Sequence, residues 1–226
     1  MNTLDLVNRG DMMAQNKGKE GKKFEEDFKD SVNRERYWVH RPPDTSNSYS
    51  GGATSRFTNT SLCDYVVYDS IDKELYLNEL KSTKSTSVPF ATYDLQVQLE
   101  QLESDLSDFR ATIRGKQNDA QKSFIKALNY EIKLIKRDGN AKSIKLHQIV
   151  NMYKDCKKYN IIGYIIINFR ETKHTYKINI IDFVEKFWTI TNKKSINEQD
   201  CLEIGTIIKQ QPKGARSSRW LYDIYQ

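Results

Sequence analysis

Two apolar segments joined by a short polar turn constrain the fold of this 226-residue chain most strongly. They lie in CDYVVYDSIDKELYLNELKST, residues 63–83, on either side of a turn at residues 70–73. Because successive side chains of a strand point to opposite faces, each segment carries apolar side chains on both faces. A hairpin of this kind has to be covered on both sides, which predicts strands inside a layered α/β fold.

The same hairpin predicts two carboxylates that face each other. A two-residue loop at the turn pairs Val66 with Leu77 and Asp64 with Glu79. Side chains opposite each other on paired strands lie about 4.5–5.5 Å apart at Cβ, and like charges there are destabilising. We therefore expect a positive group between Asp64 and Glu79.

A divalent cation is the natural candidate for that positive group. Mg²⁺ prefers oxygen ligands, often one or two carboxylates with waters and substrate phosphates. Lys81 shares the face of Glu79, where an ammonium group steadies an attacking water or the charge that develops on a phosphate. The three residues predict phosphodiester hydrolysis; a solvated strand edge is the alternative for the Glu-x-Lys pattern taken by itself.

Composition sets broader limits. Thirty-six Lys plus Arg against thirty Asp plus Glu give a net charge of +6, which is consistent with an anionic partner such as DNA.

The widely spaced cysteines, Cys63, Cys156 and Cys201, indicate neither a disulfide framework nor a zinc site, so we expect a cytoplasmic protein. No apolar stretch approaches a membrane span, and we expect no membrane association. The abundance of Asn, Lys and Ile is typical of an AT-rich genome, such as that of a phage or a low-GC Gram-positive bacterium.

The N-terminal third contains further candidate residues. We expect a mobile basic arm over residues 1–18, and then a helix in which Phe24 and Phe28 form an apolar stripe with Glu25 beside it. After the short strand YWVHR, residues 42–61 form a long loop rich in Pro, Gly, Ser and Thr. Arg41 and Arg56, at its two ends, are candidate DNA contacts.

Residues 91–140 predict a helical hairpin. Leucine and other apolar residues recur at spacings of four and three over residues 95–113, which is a heptad seam, and a second apolar stripe follows over residues 124–135. Packing onto the main fold or dimerisation is the role that we expect for this hairpin. The polar turn before it, with Ser82, Thr83 and Lys84, is expected to lie beside the acidic face and to line the path of DNA.

The last third contains a helix, two strands and a basic tail. Ser143 is expected to cap a helix with His147 and Gln148 beside its buried stripe. The segments IIGYIIINF and TYKINIIDF predict a central strand and its neighbour, and a short helix is expected from near Ser195. Candidate phosphate contacts lie in the acid-free stretch near the end: Lys213, Arg216 and Arg219.

The order of these features resembles the PD-(D/E)xK nuclease superfamily, and more closely the RecU-type Holliday junction resolvases. The resemblance runs from GKKFEEDF through CDYVVYD and LNELKSTKSTSVPF to KLHQI, GYIIINF and FWTITNKKSINEQD. It implies a restriction-endonuclease-like α/β fold, in which residues 19–226 form a nuclease domain around a mixed central sheet flanked by helices. The chain departs from the family's pattern by the insertion of residues 91–140 before the KLHQI helix.

The resemblance also implies the roles of residues. Asp64, Glu79 and Glu25 would be ligands of Mg²⁺, with Mn²⁺ able to substitute, and Lys81 would be the catalytic lysine. His147 and Gln148 correspond to a supporting His-Gln pair, and residues 42–61 to a stalk that reaches into the centre of a junction. Such enzymes are homodimers that make paired, symmetrical nicks in four-way DNA junctions during recombination and repair.

Two other functions stay open at this point. The same site suits a nuclease that acts on linear or single-stranded DNA. A non-catalytic module is the third possibility, in which the helical hairpin recruits a recombinase partner and the acidic cluster is a relic.

Overall fold

The computed structural model of the protein describes residues 19–43, 61–215 and 217–225. The strands of the described residues are β1 (Tyr37–His40), β2 (Tyr65–Asp69), β3 (Leu75–Thr83), β4 (Ser87–Pro89), β5 (Ile162–Phe169), β6 (His174–Asn179), β7 (Ser195–Asn197), β8 (Thr206–Ile208), β9 (Gln210–Pro212) and β10 (Trp220–Tyr222). The main element is a six-stranded mixed sheet with the strand order β1-β2-β3-β5-β6-β8, in which β3 and β5 are parallel and the other neighbours are antiparallel.

Helices cover both faces of this sheet. They are α1 (residues 19–31), α2 (Tyr93–Thr112), α3 (Asp119–Asn140), α4 (Leu146–Tyr159), α5 (Ile180–Phe183, continued by a π-helical turn over Val184–Trp188) and α6 (Glu198–Ile204). The expected α/β class with a mixed, helix-flanked central sheet is therefore confirmed. IIGYIIINF forms β5, which lies between β3 and β6 as a central strand.

The hairpin of β2 and β3 has the predicted register. Val66 lies opposite Leu77, and Tyr68 lies opposite Leu75. Residues that lie opposite each other share a face of the sheet, and successive residues point to opposite faces. The side chains of β3 therefore divide between two cores. Tyr76 and Leu80 pack towards α1, whereas Leu77 packs towards α4.

Each face of the sheet has its own apolar core. On one face, Phe24 and Phe28 of α1 pack with Tyr65, Val67 and Leu80 of the sheet. The core on the other face is larger, since α4, α5 and the α2–α3 hairpin all contribute to it. This two-sided burial explains why the hairpin strands are apolar on both faces, and it makes any charge within β3 exceptional.

The two helices expected within residues 91–140 are confirmed as α2 and α3. Their seam buries Leu99 and Leu106 against Leu128 and Ile132. The turn between them ends at Asn118, whose side chain accepts a hydrogen bond from the backbone N–H of Gln121 (2.8 Å) and so caps α3. The hairpin packs on the α4 side of the sheet, where its seam joins the larger core.

Two predicted helix starts are wrong. Helix α4 begins at Leu146 rather than after Ser143, because the Gln148 side chain accepts the backbone N–H of Lys145 (3.1 Å) and takes over the capping. The segment that begins at Ser195 is strand β7, paired with β4, and helix α6 follows from Glu198.

Several predictions lie outside the described residues. These are the arm over residues 1–18, the loop over residues 44–60 with Arg56, and Arg216. Within the part of the chain that the structure describes, no helix has both the length and the apolar character to cross a membrane. The three cysteines are buried with free thiols.

The contact between β5 and α5 leaves no room for a side chain at Gly163. A Cβ atom there would lie 2.6 Å from Ile180 Cγ2 and 2.7 Å from Cys156 Sγ. We expect Gly163→Ala to lower the free energy of unfolding by about 1–3 kcal/mol through overpacking. Urea unfolding measures this change.

Gly21→Ala is the matched control for that substitution. Its Cβ would meet nothing within 4 Å, and Gly21 lies in helix α1, so we expect equal or slightly higher stability. An unfolding midpoint of Gly163→Ala equal to that of the unsubstituted protein would contradict the packing of β5 against α5.

Candidate active site

The candidate site lies where β2 begins and β3 approaches its end. Asp64 immediately precedes β2, and Glu79 and Lys81 lie within β3. The backbone N–H of Asp64 donates to Asn78 O (3.0 Å), and the Asp64 carboxylate accepts the backbone N–H of Leu80 through Oδ2 (2.7 Å). These two bonds fix the Asp64 side chain across β3, beside Glu79.

Glu79 is a fully buried carboxylate, with none of its surface exposed. Its Oε1 forms an ion pair with the Lys81 ammonium group. Its Oε2 is buried and has no hydrogen-bond partner among the described residues. Since a buried ionised oxygen without a partner costs several kcal/mol, this atom has unused capacity to bind a positive group.

Glu79 and Lys81 shift each other's pKa. Burial raises the pKa of Glu79 to about 7, the charge of Lys81 opposes that rise, and the charge of Asp64 adds to it. Burial acts to lower the pKa of Lys81, but the negative charges of Glu79, Asp64 and Glu25 outweigh it and the pKa is raised. Lys81 therefore stays charged at neutral pH, whereas Glu79 lies close to its point of titration.

Glu25, the fourth predicted catalytic residue, lies in the other layer of the fold. It belongs to α1, and its carboxylate pairs with the Arg41 guanidinium at 2.9 Å between Oε2 and Nη2. Its charge is the smallest of those that raise the pKa of Lys81. The structure therefore brings together Asp64, Glu79 and Lys81, and a role of Glu25 beside them stays a prediction.

The predicted His-Gln pair lies at the first turn of α4. Gln148 is buried, its side-chain oxygen caps the helix, and its nearby side chain acts to lower the pKa of Glu79. His147 is half-exposed, with Nδ1 at 2.7 Å from Asn140 Oδ1. Burial, together with the charges of Lys145 and Lys81, lowers the pKa of His147, so that its ring is neutral at pH 7.

The turn after β3 is only partly beside the acidic face. Ser82 lies on the opposite face from Lys81 and donates to Asn168 Oδ1 at 3.3 Å, so its predicted position beside the cluster is wrong. Thr83 shares the face of Lys81 by alternation, and Lys84 is exposed. Contacts of these three residues with DNA stay predictions.

The two described candidate phosphate contacts of the tail, Lys213 and Arg219, pair with α1. Lys213 binds Asp30 (2.8 Å), and Arg219 binds Asp27, Glu26 (3.2 Å) and Asp30 (3.2 Å). The tail therefore closes over the acidic side of α1. Phosphate binding by Lys213 and Arg219 stays a prediction, but their charges are largely matched by protein carboxylates.

Two aromatic residues on the site's face were not singled out from the sequence. Trp38 and His40 of β1 are exposed, whereas Tyr37 is buried and Val39 packs into the α1 core. The signal was the alternation in YWVHR, which directs Trp38 and His40 to the face of Glu79 once the register is known.

The donor set suits a hard divalent cation. Among the described residues, no group of three His, Cys, Asp or Glu side chains is assembled as a metal site. Asp64 and Glu79 nevertheless provide two neighbouring carboxylates, and Glu79 Oε2 has no other partner. One or two carboxylates with waters and substrate phosphates is the usual ligand set of Mg²⁺, so the residues present fit this ion.

No protein-family model and no curated protein matches the chain.

Burial of Glu79 predicts a pH-dependent stability. Because its pKa in the folded protein is above the value near 4.5 of an exposed glutamate, the folded state holds a proton that the unfolded state releases. Without divalent metal, this group should lower the free energy of unfolding by about 2–3 kcal/mol as the pH rises from 4.5 to 8. Urea unfolding across that range measures the change.

The comparison variant is Glu79→Gln, which keeps the shape and removes the titration. We expect its stability to fall less steeply with pH than that of the unsubstituted protein. Parallel stability profiles for the two proteins would show that Glu79 titrates normally, contrary to its burial.

Proposed function

We propose that this protein is a divalent-metal-dependent DNA endonuclease with a restriction-endonuclease-like (PD-(D/E)xK) fold. The observation that carries the proposal is the buried Glu79 carboxylate, with Lys81 on Oε1, no partner on Oε2 and Asp64 beside it. An apolar pair at positions 79 and 81 would cost less to bury. Charges retained at such a cost, with pKa values shifted by burial and by each other, are typical of catalytic sites.

The chemistry follows from the residues in place. Asp64 and Glu79 would hold Mg²⁺ or Mn²⁺, with Glu25 at the margin of the same cluster. Such an ion, when bound, supplies polarisation of the scissile phosphate and a water of lowered pKa. The Lys81 ammonium group stabilises the negative charge that develops on the phosphate, and burial strengthens this interaction. Gln148 steadies Glu79 from α4.

Four-way DNA junctions are the substrate that we propose, acted on by a homodimer through paired symmetrical nicks in recombination. Support for this choice comes from the order of motifs along the chain, which resembles RecU-type resolvases, and from the net charge of +6. Without a base-reading motif in the sequence, recognition would rest on the shape and the backbone of DNA, and binding would weaken steeply with salt.

A cleavage assay with a labelled synthetic four-way junction tests the proposal. With Mg²⁺ or Mn²⁺ we expect symmetrical nicks, and we expect Asp64→Asn and Glu79→Gln to lose cleavage while junction binding survives. Both variants remove one metal ligand charge without changing side-chain shape. Glu203→Gln, which alters an exposed carboxylate on α6, is the control and should cut normally.

Controls with linear duplex and single-stranded DNA separate the substrates. If linear DNA is cleaved and this cleavage is lost in Glu79→Gln, the site assignment is supported, and linear DNA rather than the junction is the substrate. Persistent cleavage by Asp64→Asn or Glu79→Gln would contradict the assignment of the site. Absence of both metal binding and cleavage would favour the non-catalytic module that binds a recombinase partner.

Lys81→Met tests the role of the ammonium group separately from metal binding. We expect cleavage to fall by about 10²–10³-fold at saturating metal, since one electrostatic contact to the transition state is lost. Removal of Lys81 also raises the pKa of Glu79, so Mn²⁺ binding should weaken at pH 7 and recover at pH 8.5. Calorimetry measures this recovery, and unchanged cleavage would contradict a catalytic lysine.

A further inference from the structure

An aromatic stack lies on the same sheet face as the candidate active site. The rings of Trp38 and His40 are parallel within 5°, with centroids 5.4 Å apart, and Trp38 is 57% exposed. The ring of Trp38 therefore stacks on that of His40, and much of the Trp38 surface is exposed. An exposed aromatic ring of this kind is a surface on which a nucleobase can stack.

The strand register connects this stack to the catalytic carboxylates. His40 lies opposite Val66, and Trp38 lies opposite Tyr68, so both side chains project from the face that carries Asp64 and Glu79. Asp64 is four residues before Tyr68, which corresponds to about 13 Å along β2. A duplex strand advances about 3.4 Å per base, so a few nucleotides span the interval.

The surroundings favour a nucleic-acid ligand. The exposed Arg34 guanidinium contacts the carbonyl oxygens of Val39 in β1 and Lys29 in α1 (both 3.5 Å), which places a positive charge at the outer edge of strand β1. Tyr68 and Val66 are half-exposed and continue the surface towards Asp64. Aromatic rings beside basic side chains along the path of a strand are how proteins bind unpaired bases without reading their sequence.

We propose that Trp38, held by His40, is a stacking platform for an unpaired nucleobase a few nucleotides from the scissile phosphate. This inference rests on the proposed nuclease function, since the strand has to run from the Asp64–Glu79 cluster across β2 to β1. It assigns the protein a preference for DNA with unpaired bases near the cut. Fully stacked duplex offers no base face to the ring.

The test is equilibrium binding in EDTA, where no cleavage occurs. The probes are a labelled oligothymidylate and an oligomer of equal length made of abasic residues, which keeps the phosphates and removes the bases. We expect the unsubstituted protein to bind the thymidylate about tenfold more tightly. Trp38→Ala should bind both probes equally weakly, and Trp38→Phe should keep part of the difference.

Tyr130→Ala is the matched control, because Tyr130 is an equally exposed aromatic residue (62%) on α3. It should keep the full difference between the two probes. If Trp38→Ala still distinguishes thymidylate from the abasic oligomer, or if the unsubstituted protein does not, the platform is wrong. If dimerisation depends on Trp38 and binding does not differ between the two probes, the platform is wrong and Trp38 contacts a second copy of the chain.

The two proposals fail in different ways. If the protein shows the Trp38-dependent preference but cuts no DNA with Mg²⁺ or Mn²⁺, the proposed nuclease function is wrong and the base-stacking surface is supported. If the protein cuts junctions in a way that depends on Glu79 but shows no preference between the probes, the nuclease function is supported and the stacking platform is wrong.

Discussion

The buried ion pair between Glu79 and Lys81 is the interaction on which the rest of the structure depends. It lies in a strand that is covered by α1 on one face and by α4 on the other, where charges are costly. Asp64 from the neighbouring strand favours the charge of Lys81 but adds to the cost of ionising Glu79, which Lys81 and Gln148 of α4 oppose. Stability alone gives no reason for this arrangement, whereas an incoming cation and phosphate do.

The helical hairpin is connected to this ion pair through the start of α4. Gly139 near the end of α3 lies against Leu146, since a Cβ atom there would be 2.9 Å from Leu146 Cβ. Asn140 contacts His147, and the next residue along α4 is Gln148, which caps the helix and acts on Glu79. The end of α3 therefore packs against the first turn of the helix that carries Gln148.

Features that depend on local pattern could be predicted from the sequence. The register of β2 and β3 followed from turn length, the helices α2 and α3 from heptad spacing, and the central position of β5 from an uninterrupted apolar run. Features that depend on distant partners could not. The pairing of Arg219 with α1 joins residues almost two hundred positions apart, and the start of α4 was misplaced because a glutamine performs the capping. Ser82 was misplaced for a simpler reason: adjacent strand residues point to opposite faces, which the sequence already implied.

The most direct test of the central claim, that Asp64 and Glu79 form a metal centre, is a crystal structure with Mn²⁺ and its anomalous scattering. We expect an anomalous peak between the two carboxylates, within direct coordination distance of Glu79 Oε2, and its absence in crystals of Glu79→Gln. A peak at other residues, or a Glu79 side chain that still binds only Lys81 at saturating Mn²⁺, would contradict it.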